Sequence, residues 1–189
     1  MKKLLLLFII SLLSFGQDFQ SNLPIILITT NGNEILDESR IISDMDIIYN
    51  PQSINTLLDQ SNNYNGKISI EFRGSSSQDL FPKKSYSFET QTIDGANNNV
   101  SLLDLPEEND WILYGAYSDK TLLRNNLTYF LSRQMGHYAP RAKYCELFIN
   151  NEYQGVYMLT EKIKRDKNRV NIKKNNDKDL SGGYIIKID

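Results

Sequence analysis

The chain has 189 residues and a formal net charge of −2, from 21 Lys and Arg against 23 Asp and Glu. That near-balance excludes a broad nucleic-acid surface and leaves room only for a local cationic site. A single cysteine, Cys145, excludes an intrachain disulfide and a cysteine metal cluster.

The opening "MKKLLLLFIISLLSFGQ" places Lys2 and Lys3 before an apolar run, Leu4 to Leu13. Ser14 and Gly16 then supply small residues ahead of a cut at Gln17. This is the layout of a secretory signal peptide over residues 1–16. The apolar run is about ten residues, whereas a spanning helix needs roughly 20. The expectation is export (secreted, periplasmic or at the cell surface) rather than a membrane anchor. No later segment is apolar enough to span a bilayer, and residues 17–189 suit one domain with its own core.

Ile25 to Thr29 reads as a buried strand followed by an Asn31-Gly32 hairpin turn. "MDIIYNP" alternates toward a second strand that ends at Pro51. Asn65-Gly66 predicts a turn, and Lys67 to Arg73 a strand. In "KSYSFET", Tyr86 and Phe88 share one face while Ser85, Ser87 and Glu89 share the other. "DGANNNV" is a polar loop, and "LPEENDWILYGAYSDK" reads as irregular, anchored by Trp111, Leu113 and Tyr114.

"SDKTLLRNNLTYFLSRQMGH" carries Leu123, Leu127, Phe130, Leu131 and Gln134 at helical spacing. Ser118 or Asp119 can cap its start and Gly136 its end. "YCELFINNEYQGVYMLTEKI" is a hairpin about Asn150-Asn151, with Val156, Met158 and Thr160 alternating on its second strand. "KRDKNRVNIKKNNDKD" reads as a solvated basic segment, and "LSGGYIIKID" as a turn entering a strand. The order predicts an α+β layer: an antiparallel sheet covered on one face by one long helix.

Candidate chemistry centres on "EFRGSSSQDLFPKKSYSFET". Gly74, Ser75 and Ser76 can aim backbone N–H groups and hydroxyls into a concavity that suits phosphate oxygens. Arg73 can add a two-pronged grip. Spacing alone leaves open whether Lys83 or Lys84 points inward. If Tyr86 and Phe88 face the core, alternation puts Lys84 with them, in need of an anionic partner, and leaves Lys83 in water. Asp119, Arg124 and Asn125 belong to the helix, where Arg124 fits a salt bridge to Asp119 or Glu161 as well as ligand contact. Glu161 can hold Lys84, meet a ligand or stand exposed. His137, the sole histidine, fits a helix C-terminal cap better than a general base. No metal-ligand motif is present, and the sequons at Asn99 and Asn126 read as chance matches.

Four stretches in order, "FRGSSSQ…FPKKSYSFE", "DWILYGAYSDKTLLRNNLTYFLSRQMG", "CELFINNEYQGVYMLTEKI" and "GGYIIKID", resemble the CotH kinase family, atypical protein kinases of the spore-coat protein H group. The resemblance runs from Leu23 onward. It implies a protein-kinase-like N-terminal lobe that handles ATP with Mg²⁺ or Mn²⁺ and phosphorylates protein serines. Gly74 would then begin the phosphate-covering loop, Lys84 would be the strand lysine, and the helix from Asp119 would steady it. Met158 to Glu161 would be the hinge beside the adenine. The family takes its catalytic aspartate and metal ligand from beyond the hinge. The expectation is therefore a chain without the C-terminal lobe, with Asp189 in neither role. A non-catalytic surface or assembly module on the same fold is the alternative.

Overall fold

The computed structural model of the protein describes residues 19–175, 178 and 180–186. The signal-peptide reading and Asp189 lie outside the described residues.

Among the described residues, nine strands and two helices follow in order. They are β1 (Gln20–Ser21), β2 (Ile25–Thr29), β3 (Ile41–Ile48), β4 (Asn55–Thr56), β5 (Tyr64–Arg73), α1 (Ser76–Leu80), β6 (Ser85–Gln91), β7 (Asp110–Tyr114), α2 (Arg124–Gln134), β8 (Ala142–Ile149) and β9 (Glu152–Glu161). β1 and β4 pair with each other, and the other seven strands close a barrel in the order β2-β3-β5-β6-β7-β9-β8. The closing seam is parallel, Ile25 opposite Glu146 through Ile28 opposite Ile149. Every other neighbouring pair is antiparallel.

The period-two pattern explains the inside. Ile26, Ile28, Met45, Ile47, Ile68, Ile70, Tyr86, Phe88, Trp111, Leu113, Cys145, Leu147, Tyr157 and Leu159 meet in one buried cluster. A barrel covers its own inner face, so this core needs no helix above it. That overturns the expected α+β layer and the kinase-like N-terminal lobe: the fold is a closed barrel with two short helices. Alternation reports that one face of each strand is buried, without saying whether a helix or the curl of the sheet buries it. Helix α2 has 11 residues and no buried one. Its apolar side chains are turned outward.

Three local expectations change for related reasons. Asn65-Gly66 is no turn. It lies within β5, with Gly66 opposite Met45. Asn31 and Gly32 do turn, at φ 55° and 83°, but β3 begins only at Ile41, so the connection is a loop rather than a tight hairpin. The stretch read as irregular contains β7, whose Asp110, Trp111, Ile112 and Leu113 are all buried. A strand covered on both faces loses the alternation that betrays it. Through Ile186, the expected final strand does not form.

Part of the basic segment after β9 is pinned to the barrel, through Lys164 and Arg169, while Arg165, Lys167, Lys173, Lys174 and Lys178 are exposed, as the solvated reading expected. Arg169, 5% exposed, donates through Nη1 to the carbonyls of Asp110 and Lys162, at 2.7 Å each. Its guanidinium lies 4.9 Å from the Trp111 ring centre. Lys164 Nζ reaches Glu108 at 2.6 Å and Asp110 at 2.5 Å, and Lys162 Nζ reaches Asp110 at 3.1 Å. Burial pushes the Asp110 carboxyl up, but the hydrogen bonds from Lys164 and Lys162 outweigh it and hold the group down to about 2.

Candidate functional site

The outward positions of four neighbouring strands form a row across the barrel wall. Glu71 of β5 is opposite Ser87 of β6, Ser87 opposite Ile112 of β7, and Ile112 opposite Thr160 of β9. Tyr114 opposite Met158 adds a second, apolar row. These side chains floor a cleft of about 720 Å³. The loop before β3 contributes Asp37 and Glu38 to the lining, and α2 contributes Asn125 and Tyr129. Arg73 and Gly74 stand at one end, and Glu161 to Ile163 with Ile185 and Ile186 also line it.

Five of the residues singled out in the sequence meet here: Arg73, Gly74, Asn125, Met158 and Glu161. Met158 is 3% exposed and Ile112 7%, so the floor is apolar, with the Ser87 and Thr160 hydroxyls set into it. Glu161 is 1% exposed and serves Arg141: it accepts from the Arg141 backbone N–H at 3.0 Å and from Nε at 2.9 Å, and Tyr138 O–H donates to it at 3.4 Å. Neither Lys84 nor Arg124 holds it. Burial first, then the Glu161 charge, raises the Tyr138 phenol.

Ser75, Ser76, Lys84, Asp119 and Arg124 do not line the cleft. Ser75 and Ser76 are exposed at the start of α1, and Ser75 makes no side-chain cap. Gly74 has φ +115°, which only glycine adopts without strain, and its carbonyl accepts from Gln78 Nε2. The Lys84 ammonium closes this turn, donating to the carbonyls of Gln78 and of Phe81, the latter at 3.0 Å. Lys83 does not stand in water. Its Nζ donates to Val156 O at 2.6 Å and lies 4.4 Å from the Tyr157 ring centre, and burial lowers its pKa.

Helix α2 starts only at Arg124, with Leu123 at its N-cap position, so Asp119 lies outside the helix that the sequence reading began with it; its carboxylate still reaches the first turn. Its Oδ2 accepts from Arg124 N–H at 2.9 Å, and its Oδ1 from the Thr121 hydroxyl at 2.6 Å. Those bonds, the Thr121 hydroxyl first, lower its carboxyl. Arg124 Nε is 3.6 Å from Asp119. Gly136, at φ +81°, ends the helix, with His137 N–H donating to Ser132 O at 3.1 Å and Gly136 N–H to Arg133 O at 3.0 Å.

Charge pairing decides what the cleft offers. Arg40, on the outer barrel wall, neutralises Glu71 at 3.0 Å and Glu89 at 2.5 Å, and donates to Ser87 Oγ at 3.3 Å. Arg141 neutralises Glu161 at 2.6 Å, and Asp110 neutralises Lys162. Among the described residues, Arg73, Asp37 and Glu38 line the cleft without an ion pair or hydrogen bond from their side chains. Also among the described residues, no group of three or more His, Cys, Asp or Glu is placed to hold a metal ion.

Sequence reasoning missed Ser87, Ile112, Arg40 and Tyr129, and reached Thr160 only as part of the Met158–Glu161 hinge that the resemblance implies. The outward positions of Ser87 and Thr160 were legible from alternation; their alignment across four strands was not.

Comparison with known proteins gives two findings. The family model described as CotH kinase protein matches residues 70–189, nearly two thirds of the chain. Inner spore coat protein H of Bacillus subtilis (strain 168) is 27% identical over 148 residues, which cover 76% of this chain and 35% of that protein. The chain thus matches about a third of the length of this curated relative.

Proposed function

This chain belongs to the CotH kinase protein family, and we propose that its outer-wall cleft binds the nucleotide of an exported phosphotransferase that modifies protein serines. The observation that carries this reading is the meeting of Arg73, Gly74, Asn125, Met158 and Glu161 around one cleft of about 720 Å³. Ligand pockets of about 300–1,000 Å³ with apolar linings and few polar groups are the usual kind.

The residues suit ATP at two ends. Ile112 and Met158 offer an apolar floor for a base, and Arg73 beside Gly74 offers, among the described residues, the one unpaired cation of the lining, where phosphate oxygens would be held. ATP supplies the transferable phosphoryl group, and Mg²⁺ or Mn²⁺ supplies the charge neutralisation that such transfer needs. In this reading Arg141 and Arg40 keep Glu161 and Glu71 from repelling the nucleotide. Export rests on the N-terminal pattern of Lys2, Lys3 and the apolar run to Leu13.

The test is calorimetric titration of the chain from Gln17 onward with ATP, with and without Mg²⁺. Expected are saturable binding that needs the metal and a roughly tenfold loss in Arg73→Ala, equivalent to about 1.4 kcal/mol. Absence of heat at millimolar ATP, or binding indifferent to both Arg73→Ala and Met158→Glu, overturns the reading.

A second reading, a non-catalytic surface or assembly module, is favoured by one observation. The unpaired charges of the lining are two carboxylates, Asp37 and Glu38, against one guanidinium, which disfavours a polyphosphate without metal. It expects no Mg-dependent ATP affinity.

A further inference from the structure

Helix α2 carries its faces in reverse. Asn125, Asn126, Tyr129, Ser132 and Arg133 are the partly covered ones, and Asn125 and Tyr129 line the cleft. On the other side Leu123, Leu127, Phe130, Leu131 and Met135 are 55%, 55%, 48%, 51% and 73% exposed. At about 100° per residue these five fall within an arc of about 140°.

The polar side is held in place. Asp119 accepts from Arg124 N–H at 2.9 Å, the Tyr144 hydroxyl donates to Leu122 O at 2.6 Å, and Arg133 Nη1 donates to Pro140 O at 2.5 Å. The apolar side is therefore a presented surface rather than a loose end. Contiguous exposed patches of this kind mark interaction sites.

Charge says what covers it. From Asp119 to Cys145 the chain has Lys120, Arg124, Arg133, Arg141 and Lys143 against one acid, Asp119, within a protein of net charge −2. Asp119 lies 3.6 Å from Arg124 and Arg141 is paired with Glu161, which leaves Lys120, Arg133 and Lys143 as the surplus. The Arg124 side chain is 76% exposed. Tyr117 and Tyr138, each 37% exposed, flank the two ends of the helix.

We propose that this face docks on an anionic lipid surface. Leu123, Leu127, Phe130 and Leu131 enter the boundary between headgroups and acyl chains, Lys120 and Arg124 meet the phosphates, and the tyrosines sit at headgroup level. A second copy is the poorer occupant, because two cationic helices would then oppose each other. A bilayer also accepts a convex helix face without a matching groove. This inference stands apart from the nucleotide reading.

The experiment uses the chain from Gln17 onward, which contains every described element and omits the apolar leader. It is sedimented with vesicles of phosphatidylcholine alone and of phosphatidylcholine with phosphatidylglycerol at equal parts. Cations near an anionic surface are drawn to it, so binding should be at least about tenfold tighter to the anionic vesicles and weaken in high salt. The pair Leu127→Ser and Phe130→Ser should abolish it at unchanged melting temperature, and Arg124→Gln should narrow the lipid preference. No sedimentation with either vesicle, the result an acidic protein groove predicts, overturns the proposal. So does equal binding to both vesicles, or a dimer in light scattering that the double variant converts to monomer.

Discussion

Replacing Asp110 by Asn removes the carboxylate that Lys162 and Lys164 share while keeping the side chain's size. The two ammonium hydrogen bonds bring this carboxyl from 3.8 to about 2 against the effect of burial. That gap corresponds to about 2 kcal/mol, at about 1.4 kcal/mol for each pH unit. The folded-state value lies below the unfolded one. The contribution is therefore fully present above roughly pH 5, falls to about half at pH 3, and is gone below about pH 2. Urea unfolding followed by the fluorescence of Trp111, the single tryptophan, measures it. At pH 7 Asp110→Asn should be less stable by at least about 2 kcal/mol, because it also leaves two ammonium groups without their shared carboxylate. The gap between the two proteins should narrow by about 1 kcal/mol on going from pH 6 to pH 3. A gap that stays constant over that range would refute the ionic account and leave only lost hydrogen bonds.

Three further outcomes follow from the same geometry. Cys145 is fully buried and burial pushes its thiol up to about 12, so iodoacetamide at pH 8 should leave it unmodified in the native protein and label it in urea; labelling of the folded chain would contradict its place in the barrel core. Asp119→Ala removes the bonds to Thr121 and Arg124 that hold the first turn of α2. Because α2 buries nothing in the core, amide exchange over 124–134 should quicken while the melting temperature of the barrel holds, and a fall of the whole protein would show that α2 supports it. Trp111→Ala should cost about 3–5 kcal/mol and free Arg169 from its ring contact; a loss below about 1 kcal/mol would mean that the barrel interior can close over the gap.

The candidate site was partly legible. Arg73, Gly74 and Glu161 were singled out from local chemistry and Met158 through the resemblance alone, and the structure sets all four around one cleft. The inference about Lys84 ran differently because carbonyls can satisfy an ammonium as anions do. The turn places the Gln78 and Phe81 carbonyls within its reach. Glu161 was left with three roles, and its partner proved to be Arg141, 20 residues earlier, across the β8–β9 hairpin. Arg40 could not be found from spacing, since Glu71, Ser87 and Glu89 come beside it only through strand register.

By itself the chain determined most of the alternating strands, where α2 stops and which family it belongs to, because these depend on neighbours within a few residues or on short ordered motifs. It placed the start of α2 about five residues too early and missed β7. Tertiary structure alone decided that β2 lies beside β8, about 120 residues later, and so made a barrel from what looked like an open sheet. It also decided which way α2 faces. A stripe of leucines records that a face wants covering; whether the body beneath supplies that cover depends on whether its own apolar surface is already closed, and here the barrel has closed it.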